Sequence, residues 1–89
     1  MKAVVTVVGK DKVGIIAAVC VALASYNVNV LDISQTIMQG FFTMMMVVDV
    51  SGANVPLAEL ARQLEEKGKE MELSIRLQRE DIFDAMHRV

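Results

Sequence analysis

Few residues in this sequence could form disulfides, bind metals or stack on nucleobases. The 89-residue chain has one cysteine, one histidine and no tryptophan, and its aromatic content is 4%. One cysteine cannot build a disulfide framework, which is typical of proteins from a reducing compartment. Cys20 falls on an apolar helix stripe, which favours core filling over a nucleophilic role. The central strands lack the aromatic residues on which RNA bases would stack.

The sequence also lacks an excess of basic residues and a long apolar run, and no signal peptide is expected. Its formal net charge is -2, so no basic face could neutralise a row of phosphates, and nucleic acid is not an expected partner. Charged residues at positions 10–12 interrupt the early apolar residues, so no membrane association is expected. Met1 and Lys2 lead directly into an apolar strand rather than a signal peptide. We therefore predict a cytoplasmic location.

The length and the apolar content indicate one small domain that associates. A chain of 89 residues forms a single domain, here residues 1–89, with a core of modest size. Apolar residues make up 54% of the chain, which is rich for a domain of this size. Association between chains often completes a core of this kind, and the composition therefore favours an oligomer.

The most informative stretch is residues 9–14, a turn with glycine at both ends. Residues 3–8 before it are mostly β-branched and predict a buried strand, whereas residues 15–26 have apolar residues spaced as in a helix. Asp11 is predicted to cap that helix. Gly14 is predicted in the first turn, where the missing side chain leaves room beside the backbone. First-turn amides and the helix dipole would favour a carboxylate or another anion, although such turns also serve as turns alone.

The rest of the sequence predicts three further strands and two helices. Asn54 is a plausible cap for the second helix, and Pro56 suits its first turn. Gln39 and Gly40 indicate a hairpin between two strand-like runs. The predicted elements are strands at 28–38, 41–50 and 73–79, a helix from 57 to about 68, and a short terminal helix at 80–88. The resulting β-α-β-β-α-β order is the ferredoxin-like arrangement of an α+β domain.

The composition of the strands predicts their order in the sheet. Strands one and three are apolar on both faces and should be central, whereas strands two and four alternate and should be edges. The antiparallel order is then 4-1-3-2, with both main helices on one face. In strand two, Leu31, Ile33 and Ile37 are placed together on one face.

This arrangement leaves apolar surface without a partner. The second sheet face would expose Met and Val side chains, and strand two would have an open edge. A homodimer that pairs edges or packs faces is the predicted resolution. The alternative is that the terminal helix folds across the second face.

Two segments resemble a known family. Residues 7–16 are VVGKDKVGII and residues 27–33 are NVNVLDI. Together they resemble the ACT domain, a small regulatory module that binds amino acids. The resemblance runs from strand one through strand four. Residues 31–37 and the tail at 80–88 are similar to stand-alone bacterial and archaeal ACT proteins, which are similar to half of the glycine-cleavage-system repressor.

The resemblance implies a ligand site at a dimer interface. The loop after strand one would supply main-chain groups and one polar side chain, and the start of strand two, often from the neighbouring subunit, would supply another. A zwitterion needs donors for its carboxylate and an acceptor for its ammonium group. The residues that the resemblance assigns to this site are Asp11, Val13, Gly14, Ile15, Asn29 and Asp32.

The loop departs from the serine-responsive members of the family, and this leaves the ligand unspecified. Those members have asparagine in place of Asp11 and proline in place of Val13. An ionised Asp11 cannot donate a hydrogen bond, so the contact to a ligand carboxylate would move to the backbone or to a neighbour.

The sequence therefore predicts a small-molecule-sensing regulatory domain without a cofactor, with a regulated protein as a possible further partner. The alternative is a ligand-free dimerisation or protein-interaction module. An enzyme is not expected, since no base is placed next to a nucleophile. Glu80, Asp84 and His87 lie on one side of the predicted last helix and could hold a metal. Their spacing favours a solvated ion pair instead, and no metal site is predicted.

Overall fold

The elements of the chain follow the predicted order. A computed structural model describes residues 1–81. The terminal helix predicted at 80–88 lies outside the described residues from position 82 onward, and so do Asp84 and His87. The elements are β1 (Lys2–Lys10), α1 (Ile15–Ser25), β2 (Asn29–Met38), β3 (Phe41–Asp49), α2 (Leu57–Glu70) and β4 (Leu73–Arg79).

The four strands form one antiparallel sheet in the order β2-β3-β1-β4. This confirms the predicted order 4-1-3-2 and the ferredoxin-like fold. β1 and β3 are central and pair along their whole length, from Lys2 opposite Asp49 to Lys10 opposite Phe41. Within residues 1–81, β2 and β4 therefore each have one edge without a neighbouring strand.

The core lies between the sheet and the two helices. Alternate residues of β1 and β3 face the helices, because side chains of a strand point to opposite faces in turn. α1 contributes residues one turn apart, and α2 does the same from an apolar face, while its charged residues lie on the other side of the helix. The fully buried members of this core include Val5, Val7, Ile15, Val19, Leu23, Met44, Met46, Val48, Leu60 and Leu64.

The opposite face of the sheet keeps apolar side chains, as the composition of the central strands predicted. Val8 and Met45 are 41% and 39% exposed on this face, and Phe41 at the hairpin is 57% exposed. Val4 on the same face is buried. The uncovered part of the face is therefore the part near the hairpin.

β2 departs from its predicted alternation at Leu31. Val30 and Asp32 pair with successive residues of β3, so Leu31 is the extra residue of a β-bulge. Ile33 and Ile37 lie opposite buried residues of β3 and share the helix-covered face. The prediction that Leu31 shares one face with Ile33 and Ile37 was wrong, because the bulge inserts one residue into the strand.

The predicted helix caps are also wrong. α1 has Gly14 as its N-cap, and no side chain makes a capping hydrogen bond there. α2 has Pro56 in extended conformation at the N-cap, and the side-chain amide of Asn54 donates to the Ser25 carbonyl instead, at 3.4 Å. Asp11 lies too early in the chain, because the turn ends only at residue 14 and the helix begins after it.

Gly68 allows α2 to lie close to β4, and a side chain there should destabilise the fold. A Cβ at this position would be 2.7 Å from the Leu73 carbonyl oxygen and 3.0 Å from Ile75 Cγ1. We expect Gly68→Ala to lower the free energy of unfolding by about 1–2 kcal/mol, even though alanine favours the helix. Urea denaturation measures this change.

Gly52→Ala is the matched control for this prediction. Its Cβ would lie 3.1 Å from Asn27 Nδ2, which donates to the Gly52 carbonyl at 2.8 Å and has to shift only slightly, so a change within about 0.5 kcal/mol is expected. Equal effects of the two substitutions would contradict the close approach at Gly68.

Candidate functional site

The loop between β1 and α1 is held at two points by other elements. The amide of Asp11 donates to the carbonyl of Gly40 in the β2–β3 hairpin, at 2.8 Å. The ammonium group of Lys12 donates to the Met71 carbonyl at the end of α2, at 2.6 Å. A cation is favourable there because the carbonyls and the dipole of α2 end at this point. The loop therefore connects the hairpin at one sheet edge to the end of α2.

Gly14 opens the head of α1. Its φ of +89° lies in the left-handed region, where glycine is strongly favoured. A Cβ at this position would meet no atom within 4 Å, so the space beside the backbone is free. The first amides of a helix have no acceptor within the helix, and α1 has no acidic residue in its first turn. These amides are available to an anion.

A shallow cleft of about 500 Å³ lies beside Gly14, between α1 and β2. This volume is within the range of small-molecule sites. Its lining is mostly apolar and includes Cys20 and Ile37, and the polar residues Asp11 and Gln35 also line it. The cleft can therefore present backbone donors and an apolar surface to one small molecule, with Asp11 among its lining residues.

The cleft brings together three of the residues assigned by resemblance: Asp11, Gly14 and Ile15. Val13 lies in the same loop but is fully exposed and does not line the cleft. Gln35 and Cys20 also line the cleft, and neither was predicted there. Gln35 alternates with Ile33 and Ile37, and a polar residue in that apolar series is the signal that could have identified it.

Asn29 and Asp32 lie away from the cleft within one chain. Asn29 pairs with Asp49 at the start of β2, whereas the loop lies beside the end of β2. Nine residue steps of an extended strand separate the two ends of β2, which is about 30 Å. Asp32 lies opposite Val47 on the sheet face away from the helices, and its carboxylate accepts from the Ile33 amide at 2.9 Å.

The polar end of the sheet near Asn29 is fixed by a short turn. Hydrogen bonds from the Ser51 hydroxyl and amide hold the pKa of Asp49 below its usual value. The Ser51 amide donates to this carboxylate at 2.9 Å. Asp49 therefore remains charged beside Asn29 at neutral pH.

Residues 1–81 contain no group of three His, Cys, Asp or Glu side chains arranged for a metal ion. Among the same residues, no helix has the length and apolarity needed to cross a membrane.

Lys12 should control the order of the loop that carries Asp11 and Gly14. Lys12→Met removes the contact to Met71, so we expect amide hydrogen exchange in residues 11–18 and 69–73 to become roughly three- to tenfold faster. Lys12→Arg keeps the charge and should change exchange less. Unchanged exchange in Lys12→Met would contradict the role of this contact.

The fold and the cleft define a small ferredoxin-like domain suited to binding a small molecule at its surface. The sequence profile of the ACT domain family matches residues 2–78. The chain belongs to the ACT domain family, whose members are regulatory domains.

Relatives and solved structures agree with this assignment. A UPF0237 protein of Listeria innocua is 51% identical over the full length of both chains. UPF0237 proteins also occur in archaea. An ACT domain protein from Streptococcus pneumoniae has a TM-score of 0.82 and 42% identity, with 98% of each chain covered. A putative glycine cleavage system transcriptional repressor has a TM-score of 0.74 at 22% identity, covering 88% of this chain and 44% of its own, and shares the fold.

Proposed function

We propose that this protein is a regulatory domain that binds a small amino acid or a related metabolite at the interface of a homodimer. The observation that carries the proposal is the open cleft at Gly14, which is lined by the first residues of α1, by Asp11 and by apolar residues. These three features match the carboxylate, the ammonium group and the side chain of an amino acid.

The free edge of β2 is suited to a second copy of the chain. Apolar side chains concentrate on this strand and at the start of β3, whereas Ser34 and Gln35 at its centre are uncharged. α1, which lies on the same side, has no charged residue in its eleven positions. A helix without charged residues is typical of one that is buried against protein on more than one face. The exposed apolar residues of this region are Leu31, Ile33, Ile37, Met38, Phe41 and Met45.

Antiparallel pairing of two β2 strands would complete the site. A two-fold axis near Ser34 would bring the Asn29 end of the second copy to the Met38 end of the first. The Met38 end lies beside the loop that contains Asp11. Asn29 would then reach the cleft from the other copy, although in its own chain it lies six residue steps, or about 20 Å, from Gln35, the nearest β2 residue that lines the cleft.

In this arrangement each part of the ligand has a partner. The amides that follow Gly14 bind the carboxylate, and Asp11 or the side-chain oxygen of Asn29 accepts from the ammonium group. Cys20 and Ile37 contact the ligand side chain. Val13 contributes its backbone only, and Asp32 positions the strand through its bond to the Ile33 amide.

Calorimetry of the full chain with each standard amino acid under reducing conditions tests the proposal. We expect heat from one small amino acid or a few, with one ligand bound per cleft, and a dimer in light scattering. A monomer that gives no heat with any of them would overturn the proposal.

A ligand-free interaction module is the second candidate, and the exposed apolar surface of β2 favours it. That function requires a stable dimer whose thermal stability no amino acid changes. Calorimetry and light scattering on the same sample therefore separate the two functions.

A further inference from the structure

The outer edge of β4 is the second edge of the sheet without a neighbouring strand in the described residues, and β4 has no bulge. β4 pairs with β1 at seven consecutive positions, from Leu73 opposite Gly9 to Arg79 opposite Ala3, without a register shift. β2, in contrast, is interrupted by its bulge. In the described range no strand lies on the outer side of β4. A straight edge without proline or a bulge is able to accept an added strand.

A groove of about 480 Å³ runs along this edge, between β4 and α2. Ala61, Glu65 and Lys69 of α2 line one side, so this side carries one acidic and one basic residue, and Leu77 of β4 also lines the groove. A strand added beside β4 would place alternate side chains into this groove. Small or medium apolar side chains fit there, next to Ala61 and Leu77.

Arg76 is the central residue of β4, and its positive charge affects how well a given strand would pair with this edge. It is exposed, lies opposite Thr6 on the sheet face away from the helices, and makes no hydrogen bond or ion pair with another residue of the described chain. Two β4 strands paired about a two-fold axis would bring their Arg76 side chains together at the centre. Like charges opposite one another destabilise a strand pair. Self-pairing through β4 is therefore disfavoured, whereas an acidic residue opposite Arg76 is favoured.

We propose that the β4 edge binds an extended segment of a partner protein as an added strand, with apolar side chains alternating with at least one acidic side chain. The backbone of the segment pairs with β4, its apolar side chains enter the groove beside α2, and its acidic side chain contacts Arg76. The β4 edge lies on the opposite side of the sheet from β2. A dimer formed through β2 would therefore offer two such edges, and binding there does not depend on an amino acid in the cleft.

The test uses a synthetic seven-residue peptide with valine at alternate positions, threonine at the others and one central glutamate. A peptide with lysine in place of the glutamate is its control. We expect NMR titration of the full chain to show shifts along residues 73–79 and slower exchange of β4 amides. The lysine peptide should bind about five- to tenfold more weakly.

Arg76→Glu should bind the lysine peptide more tightly than the glutamate peptide, because residue 76 is then negatively charged instead of positively charged. Lys10→Glu changes the net charge equally on the same sheet face, but at the far end of β1, and should leave the preference unchanged. Equal affinity for the two peptides, no binding at their solubility limit, or shifts confined to β2 would each overturn the proposal. None of these results depends on whether an amino acid binds at Gly14.

Discussion

Gly14→Val is expected to abolish the thermal shift produced by the amino acid that binds, while the dimer remains intact. The new side chain would occupy the free space beside Gly14, where the ligand carboxylate approaches the helix amides. Valine is also strained at a φ of +89°, so the free energy of unfolding should fall by roughly 1–3 kcal/mol. Differential scanning fluorimetry measures the thermal shift, calorimetry the free energy of unfolding, and light scattering the mass of the dimer.

Gly14→Asn distinguishes two effects of Gly14→Val, the blocked approach of the ligand and the backbone strain at residue 14. Asparagine tolerates the left-handed conformation better than valine, so the fold should lose less stability. Its side chain still enters the approach to the amides, and we expect binding to weaken at least about tenfold. Retained binding in both variants would show that the ligand does not use the head of α1, even if the dimer forms.

The fold could be predicted from the sequence because its strands carry a strong period-two signal. Leu73, Ile75 and Leu77 alternate with polar residues, which marks β4 as an edge, and the structure buries Leu73 and Ile75 and leaves Leu77 half-buried. β1 and β3 have apolar residues in both series, which marks them as central. Strand order follows from these two facts, since central strands have a neighbouring strand at both edges and expose less of their surface than edge strands do.

The local details of the site were harder to predict. The cap prediction at Asp11 relied on a common side-chain preference, whereas the turn is ended by the backbone conformation of Gly14. The bulge at Leu31 depends on pairing with β3, which a strand's own sequence does not show. Gln35 lines the cleft only because α1 lies above β2, and this is a property of tertiary packing.

Asn29 and Gly14 lie far apart in one chain, so a single chain does not show how both could contact the same ligand. The resemblance places both residues in one pocket, but the register of β2 separates them by its whole length. The two can meet only across copies. The proposed site therefore depends on the β2 edge as much as on the loop.

A like charge at the centre of β2 is expected to convert the dimer to monomers. Ser34 is exposed near the middle of this strand, so a two-fold pairing brings its copies close together. In Ser34→Arg the two guanidinium groups repel, and we expect the dimer dissociation constant to rise at least about tenfold. Analytical ultracentrifugation measures this, and the amino-acid response should weaken in parallel because Asn29 is withdrawn.

Ser74→Arg is the matched control, because it places the same substitution on the same sheet face of the other edge strand. This variant should remain dimeric. Mixing Ser34→Arg with Ser34→Glu gives the sharpest result, since the opposite charges now attract across the axis and should produce heterodimers in native mass spectrometry. If both variants remain homodimers, the copies do not meet through β2, and Asn29 of one chain cannot complete the cleft of the other.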